Sequence, residues 1–278
     1  MGETFRRIGD CTIRMSDSSE STEYNNLTTS LTCGSRKVDE LEGPRVGGKE
    51  AAARKAVEYV KEGMTLGIGT GSTAMFAIQA LGERIQRDGL RIRAVPTSQK
   101  SRELVASVLI PLADLSDVGI GLLDLTIDGA DEVDTQLNLI KGGGGALLRE
   151  KIVASASREM IVICDDSKCK PHLGAHPLPV AVAPFGFEAT HRQLRRFSET
   201  ALLRRNSDGS IYVTDDSLYI FDLYMKLIEN PAGLEEQLKR IVGVMEVGLF
   251  VNIASKVVVG YEDGRTEILS PPRPVASS

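Results

Sequence analysis

From residue 49 onward, apolar positions alternate between two textures: stretches spaced every three or four residues, and short unbroken runs. Ala53, Ala56, Val57 and Val60 fall at helical spacing and Gly63 supplies a stop, so the pattern predicts a helix over 49–61. An apolar run at 64–68 follows, then a glycine-rich turn, then helical spacing through Ala74, Ala77, Ile78, Leu81 and Ile85 that ends near Gly89. The alternation continues with strands at 91–95, 122–127 and 160–164 and helices at 98–108 and 146–157. Strands separated by helices in this order imply a parallel sheet covered on both faces.

After Pro177 the texture changes. A strand at 178–183, a helix at 188–197, strands at 202–205 and 211–213 continuing into 218–223, a helix at 234–241 and a strand at 244–250 read as β-α-β-β-α-β. That is the ferredoxin-like order. The expected fold is therefore α/β: a Rossmann-like main domain formed by 49–176 and 247–270, with a smaller ferredoxin-like α+β lid domain at 177–246. The run at 256–261 should return to the main domain, and 271–278 reads as a tail. Residues 1–48 lack periodic apolar positions and end in the linker Gly43-Pro-Arg-Val-Gly-Gly48, so they read as a disordered extension. Its eight acidic residues argue against a transit peptide.

Composition narrows the function. The 278 residues are 42% hydrophobic, enough for a sizeable core, and 33 Lys and Arg against 38 Asp and Glu leave a net charge of -5. That balance provides no basic field for nucleic acid or an anionic membrane, so any phosphate site must be local. No run approaches the roughly 20 apolar residues of a membrane span, and the four scattered cysteines suit reduced thiols in a cytoplasmic setting better than a disulfide framework.

Four segments carry candidate chemistry. Gly67-Ile-Gly-Thr-Gly-Ser-Thr-Ala74 lies between a strand and a helix start, where exposed N–H groups and the helix dipole favour an anion; Thr70, Ser72 and Thr73 add hydroxyls. The same glycines fit a loose dinucleotide fingerprint, but the following strand ends Arg-Ala-Val-Pro-Thr-Ser with no acid to hold a ribose. Thr126-Ile-Asp-Gly-Ala-Asp-Glu-Val-Asp134 ends an apolar strand, so Asp128 and Asp131 face the crevice of an open sheet or, alternatively, belong to a solvated acidic turn. Lys141 precedes Gly142 to Gly145, a run whose ordering costs chain entropy and so points to close backbone approach; Glu150 follows as a base or as a surface charge. Lys168, at the next strand end, can offer a charge to phosphate or simply face solvent. Cys164, Cys169, His172 and His176 have no common zinc spacing.

Taken in order, these motifs resemble the type A ribose-5-phosphate isomerase family, and the likeness runs from about Lys49 to Leu269. The resemblance implies that Lys49, Thr70, Gly71, Ser72, Thr73 and Lys168 hold the sugar phosphate end or its neighbouring hydroxyls. It also implies that the Asp128-Gly129-Ala130-Asp131 turn and the segment Lys141 to Gly144, with Gly142 and Gly143, line the sugar. By the same resemblance Asp128, with Lys141 or Asp131, opens the furanose ring, and Glu150 moves a proton between C2 and C1 through a cis-enediolate. No metal and no cofactor is called for, the partner is a small sugar phosphate, and the assembly is a homodimer or homotetramer. Two features depart from the family pattern: the 48-residue extension, and Gly145 where a small residue such as Ala can stand. A non-catalytic sugar-phosphate sensor on the same sheet could dispense with Lys141 and Glu150; both are present.

Overall fold

The computed structural model describes residues 5–8, 11–14, 47–116 and 123–271. Near the N-terminus, β1 (Phe5–Ile8) and β2 (Cys11–Arg14) pair antiparallel; apart from Gly47 and Gly48, the rest of the 1–48 extension lies outside the described residues.

The remaining described residues build three sheets. The largest has six strands: β3 (Thr65–Ile68), β4 (Arg93–Pro96), β5 (Leu125–Gly129), β8 (Met160–Asp165), β14 (Lys256–Gly260) and β15 (Thr266–Leu269), in the order β15-β14-β8-β5-β3-β4. Every neighbouring pair is parallel except β14 with β15. The central strands are buried except at the last residues of β5 and β8, which is why they read as continuous apolar runs. Helices α1 (Gly48–Val57), α2 (Ser72–Asp88), α3 (Gln99–Ser107) and α4 (Leu147–Ser155) connect and cover them. Gly89 ends α2 in the left-handed conformation, and Ser98 caps α3 by accepting from the Ser101 N–H. A 3-10 turn, Asp166–Lys168, follows β8.

The β-α-β-β-α-β unit is present as β9 (Leu178–Val182), α5 (Phe187–Leu194), β10 (Ala201–Leu203), β11 (Tyr219–Leu223), α6 (Pro231–Lys239) and β12 (Val244–Val247). Its antiparallel sheet runs β10-β11-β9-β12. The expected strand at 211–213 is reduced to a single bridge between Arg205 and Ile211, inside an arm that spans 204–218. The expected strand at 244–250 is divided: β12 stays with this sheet, whereas β13 (Leu249–Phe250) joins a third one.

That third sheet has no signature in the hydrophobic pattern. It consists of β6 (Glu132–Val133), β7 (Leu139–Ile140) and β13, each two residues long, in the order β13-β7-β6. Strands so short present no periodicity to read.

The core under the parallel sheet depends on close approach by α1. Ala52, Ala53 and Ala56 are fully buried on it, and Gly48 lies against Gly260 of β14, where a Cβ on either glycine would overlap the other's backbone. Gly260→Ala is expected to push α1 off the sheet and cost about 1–3 kcal/mol, lowering the thermal midpoint by roughly 3–10 °C; a thermal melt at fixed pH measures it, and an unchanged midpoint would refute the close-packing account.

Candidate active site

The strand order brings the C-terminal ends of β3, β5 and β8 side by side, and the loops that leave them enclose a cleft of about 530 Å³ open to solvent. Lys49, Thr70 to Thr73, Gly129 to Asp131, Lys141, Gly142, Gly144, Glu150 and Lys168 all line it. Nearly every residue singled out in the sequence is therefore gathered in one place. Gly143 joins the lining through Asp131, to whose Oδ2 its N–H donates at 2.7 Å.

The small third sheet does the gathering for the acids and the lysine. Pairing of Glu132 with Ile140 and Val133 with Leu139 sets Asp131 and Lys141 at the open end of one hairpin. The Asp131 N–H donates to the Ile140 carbonyl at 2.8 Å, and the Lys141 N–H donates to the Gly248 carbonyl at 2.8 Å. The other acids of the motif serve structure. Glu132 is buried and accepts from the Gly174 and His176 N–H groups at 2.7 Å each; Asp134 accepts from Gln136 and Asn138.

At the floor of the cleft the side chain of Lys141 is buried, with its ammonium 3.0 Å from Asp128 Oδ2 and 3.4 Å from Glu150 Oε2. The ammonium donates to the Gly129 carbonyl at 2.6 Å. It is near both carboxylates but aligned with neither, so among the described residues Asp128 Oδ2 and Glu150 Oε2 receive no well-aligned hydrogen bond. Asp128 Oδ1, in contrast, accepts from the Gly129 N–H at 2.7 Å and the Thr70 N–H at 3.2 Å. A Cβ on Gly69 would overlap the Asp128 carboxylate, which explains why the strand must leave through a glycine there.

Burial of two acids beside one base sets the electrostatics. Desolvation pushes Glu150 up to about 8, opposed by Lys141 and reinforced by the charges of Asp128 and Asp131. Desolvation also raises Asp128, although Lys141 and two backbone N–H groups pull the other way. For Lys141, burial alone would lower the pKa, but the Asp128 and Glu150 charges outweigh it and hold the lysine above its usual range. The cluster thus keeps a fixed cation and carries one carboxylate more than it can neutralise.

Glu150 sits in the first turn of α4, and its neighbour Lys151 anchors that helix. The Lys151 ammonium bonds Glu235 at 2.6 Å and Glu246 and the Val247 carbonyl at 2.8 Å, tying α4 to the antiparallel sheet. Phe250 lies between the two lysines, its ring centroid 5.5 Å from the Lys141 ammonium and 5.0 Å from that of Lys151.

At the opposite end, the Lys49 ammonium donates to the Ser72 hydroxyl at 3.1 Å, and Lys168 reaches the cleft from the 3-10 turn after β8. With the start of α2 at Ser72 these make a cationic rim suited to an anion. Thr70 lines the cleft with its polar groups already partnered: its hydroxyl meets Thr97 at 2.8 Å and donates to Ser98 at 2.7 Å, and its N–H donates to Asp128 Oδ1. That hydroxyl chain had no signal in the sequence. Also unforeseen are Arg204 and Tyr212 on the 204–218 arm, which contact the glycine run; Gly145, at φ +85, has no room for a Cβ beside the Tyr212 hydroxyl, so this chain requires glycine where the family pattern tolerates alanine. Cys164, Cys169, His172 and His176 do not converge: among the described residues no three His, Cys, Asp or Glu side chains are grouped to hold a metal.

Comparison with known proteins gives a consistent result. The model of the family described as ribose 5-phosphate isomerase A (phosphoriboisomerase A) matches residues 93–264. A ribose-5-phosphate isomerase A of Cereibacter sphaeroides (strain ATCC 17025) is 47% identical over 227 residues, covering 79% of this chain and 90% of that relative. The solved ribose 5-phosphate isomerase A of Methanocaldococcus jannaschii superposes with a TM-score of 0.74 at 37% identity, covering 80% of this chain and 97% of that one. A D-ribose-5-phosphate isomerase solved in complex with phospho-erythronic acid gives a TM-score of 0.76 at 37% identity, with the same coverage of 80% and 97%.

The raised pKa of Glu150 has a consequence for stability. Because the fold favours its protonated form, the stability that proton brings is complete below the ordinary value of 4.5 and is lost as pH rises through about 8. Glu150→Gln, neutral at every pH, should melt above the wild type at pH 9, with the difference shrinking toward zero at pH 5; equal differences at both pH values would contradict the burial argument.

Proposed function

The chain belongs to the ribose 5-phosphate isomerase A family and is an isomerase of ribose 5-phosphate, and from that premise we propose that it interconverts D-ribose 5-phosphate and D-ribulose 5-phosphate through a cis-enediolate with Glu150 as the base. The observation that carries this reading is the buried trio of Lys141, Asp128 and Glu150 at the bottom of a cleft whose other end is cationic.

The phosphate would sit at the rim formed by Lys49, Ser72, Thr73, the Gly71 backbone and Lys168, which leaves the sugar carbons over Gly129, Ala130 and the glycine run. Asp128, with Lys141 or Asp131, would move protons between the ring oxygen and the anomeric hydroxyl to open the furanose. Glu150 then takes the proton from C2 and returns it to C1, while the proton of the C2 hydroxyl passes to the oxygen of C1. Negative charge develops on the oxygens of C1 and C2, where a lysine held in its charged form is an electrostatic partner already in place. A carboxylate pushed up toward neutrality is a stronger base than an ordinary glutamate and still ionises at working pH. The phospho-erythronic acid bound by a relative is compatible with this, since a sugar acid presents a planar, anionic carboxylate where an enediolate would carry its two oxygens.

The 178–247 unit would serve as a lid, its arm contacting the glycine run at Gly142, Gly143 and Gly144. The chain would work in the cytoplasm as a homodimer or homotetramer, with no metal or cofactor required.

Purified protein should isomerise ribose 5-phosphate in the presence of EDTA and without added nucleotide; loss of activity in EDTA with folded protein would overturn the metal-free reading. Glu150→Gln should lower kcat by ~10²–10⁴-fold while leaving substrate binding measurable by calorimetry, and undiminished turnover would remove Glu150 as the base. Because only the ionised carboxylate can accept the C2 proton, kcat/KM of the wild type should rise with pH up to about 8 and then level; a profile flat from pH 6 to 9 would exclude Glu150 at that pKa.

A further inference from the structure

We infer that Arg204 is a positioning residue for the isomerisation, fixing the peptide planes of the glycine run so that the Gly144 N–H is presented to the developing enediolate. This rests on the isomerase reading above.

Arg204 follows β10 and its guanidinium is largely buried, with a side-chain exposure of 15%. One side of the guanidinium is occupied by Asp222 of the adjacent strand, which accepts from both Nε and Nη2. This two-bond fork leaves Nη1 aimed in a single direction. There it donates to the carbonyls of both Gly142, at 2.8 Å, and Gly143, at 3.1 Å. Among the described residues there are no cis peptide bonds, and in a planar trans peptide the N–H points opposite to the C=O. Two carbonyls drawn toward Arg204 therefore send the N–H groups of Gly143 and Gly144 to the opposite side.

The first of these can be checked directly. The Gly143 N–H is found on the cleft side, donating to Asp131 Oδ2 at 2.7 Å. The Gly144 N–H shares that orientation, Gly144 lines the cleft, and among the described residues no acceptor meets this N–H. The next peptide is held separately: the Gly144 carbonyl accepts from the Tyr212 hydroxyl at 3.2 Å, and the Gly145 N–H donates to the Gly142 carbonyl at 2.9 Å. Tyr212 in turn lies against Arg204, 5.8 Å from ring centroid to guanidinium. Glycines rotate easily, so a run of four with unsupported carbonyls would present its N–H groups in many directions. Arg204 removes that freedom at the Gly143–Gly144 peptide, which has no partner within the run, and it acts through the backbone without touching substrate.

The test compares two ligands on the full chain. Phospho-erythronate carries a planar carboxylate, whereas ribitol 5-phosphate has the phosphate and hydroxyls but no planar anionic centre. For Arg204→Met, kcat should fall ~10–100-fold, less than the loss of an oxyanion donor outright, with KM for ribose 5-phosphate changed by no more than about twofold. Phospho-erythronate should bind at least ~10-fold more weakly, while ribitol 5-phosphate stays within about twofold. Arg204→Lys, which cannot bridge Asp222 and two carbonyls together, should not rescue. Tyr212→Phe, which keeps the packing and removes one bond to the Gly144 carbonyl, should show the same pattern more weakly and serves if Arg204→Met does not fold. Wild-type kcat and acid affinity in a folded Arg204 variant would overturn the inference, and so would equal weakening of both ligands, the mark of a collapsed cleft. Failure of the wild type to turn over ribose 5-phosphate would strike the isomerase reading itself, which the ligand comparison does not depend on.

Discussion

A lysine ammonium buried beneath the cleft cannot stand alone, and the arrangement around it follows from that requirement. Removing a charge from water costs several kcal/mol unless partners replace the lost hydration. Lys141 has the Gly129 carbonyl as its hydrogen-bond acceptor and two carboxylates within 3.4 Å as counter-charges. Either carboxylate would neutralise it. Burial lifts both acids above their ordinary values against the pull of Lys141, and for Glu150 the charges of Asp128 and Asp131 add to the rise. A cation that stays charged and an acid that exchanges its proton near neutrality are thus produced by one packing decision.

Holding that trio together takes more of the fold than the residues themselves suggest. Asp128 is delivered by β5, and its position depends on a glycine at 69 in the neighbouring loop. The sheet of two-residue strands delivers Lys141 and Asp131. Glu150 arrives on α4, which Lys151 fastens to Glu235 and Glu246. The same Lys151 cation holds Glu246 below its usual range although burial alone would raise it, so the fastening is itself an internally paired charge rather than a free cost. The phosphate rim is drawn from elsewhere, with Lys49 at the start of α1 and Lys168 beyond β8.

The parts of this that were legible in the sequence are those with a period or a punctuation mark. The alternation of strands and helices, the glycine stop at 89 and the acids at a strand end all appear in the residues, and each was found within a few positions of its place. Strands of two residues, such as Leu139–Ile140, are too short to carry a rhythm, so the device that brings Asp131 to Lys141 was invisible. The division of 244–250 between two sheets was hidden for a related reason: the run reads as one strand, and its one mark, Gly248, does not by itself say that the hydrogen-bond partner changes there. Arg204 and Tyr212 lie about sixty residues from the glycines they hold, a separation at which a single sequence gives no pairing signal. The Thr70 hydroxyl misled in the opposite sense, since a polar side chain in a phosphate loop looks like a ligand donor until Thr97 and Ser98 are seen to occupy it.

Gly248 stands at the point where β12 ends and β13 begins, and both sheets converge on it. Its N–H donates to the Pro179 carbonyl of β9 at 2.7 Å, and its carbonyl accepts from the Lys141 N–H at 2.8 Å. A Cβ there would meet the Lys141 carbonyl and the Pro179 ring, so the chains are in contact with no slack. Mechanically this is a weld rather than a hinge. The antiparallel sheet is thus tied through Gly248 to the backbone of Lys141 at the floor of the cleft, whereas Asp215 and Asp216 of the 204–218 arm meet Arg149 near the surface in pairs that cost little to part.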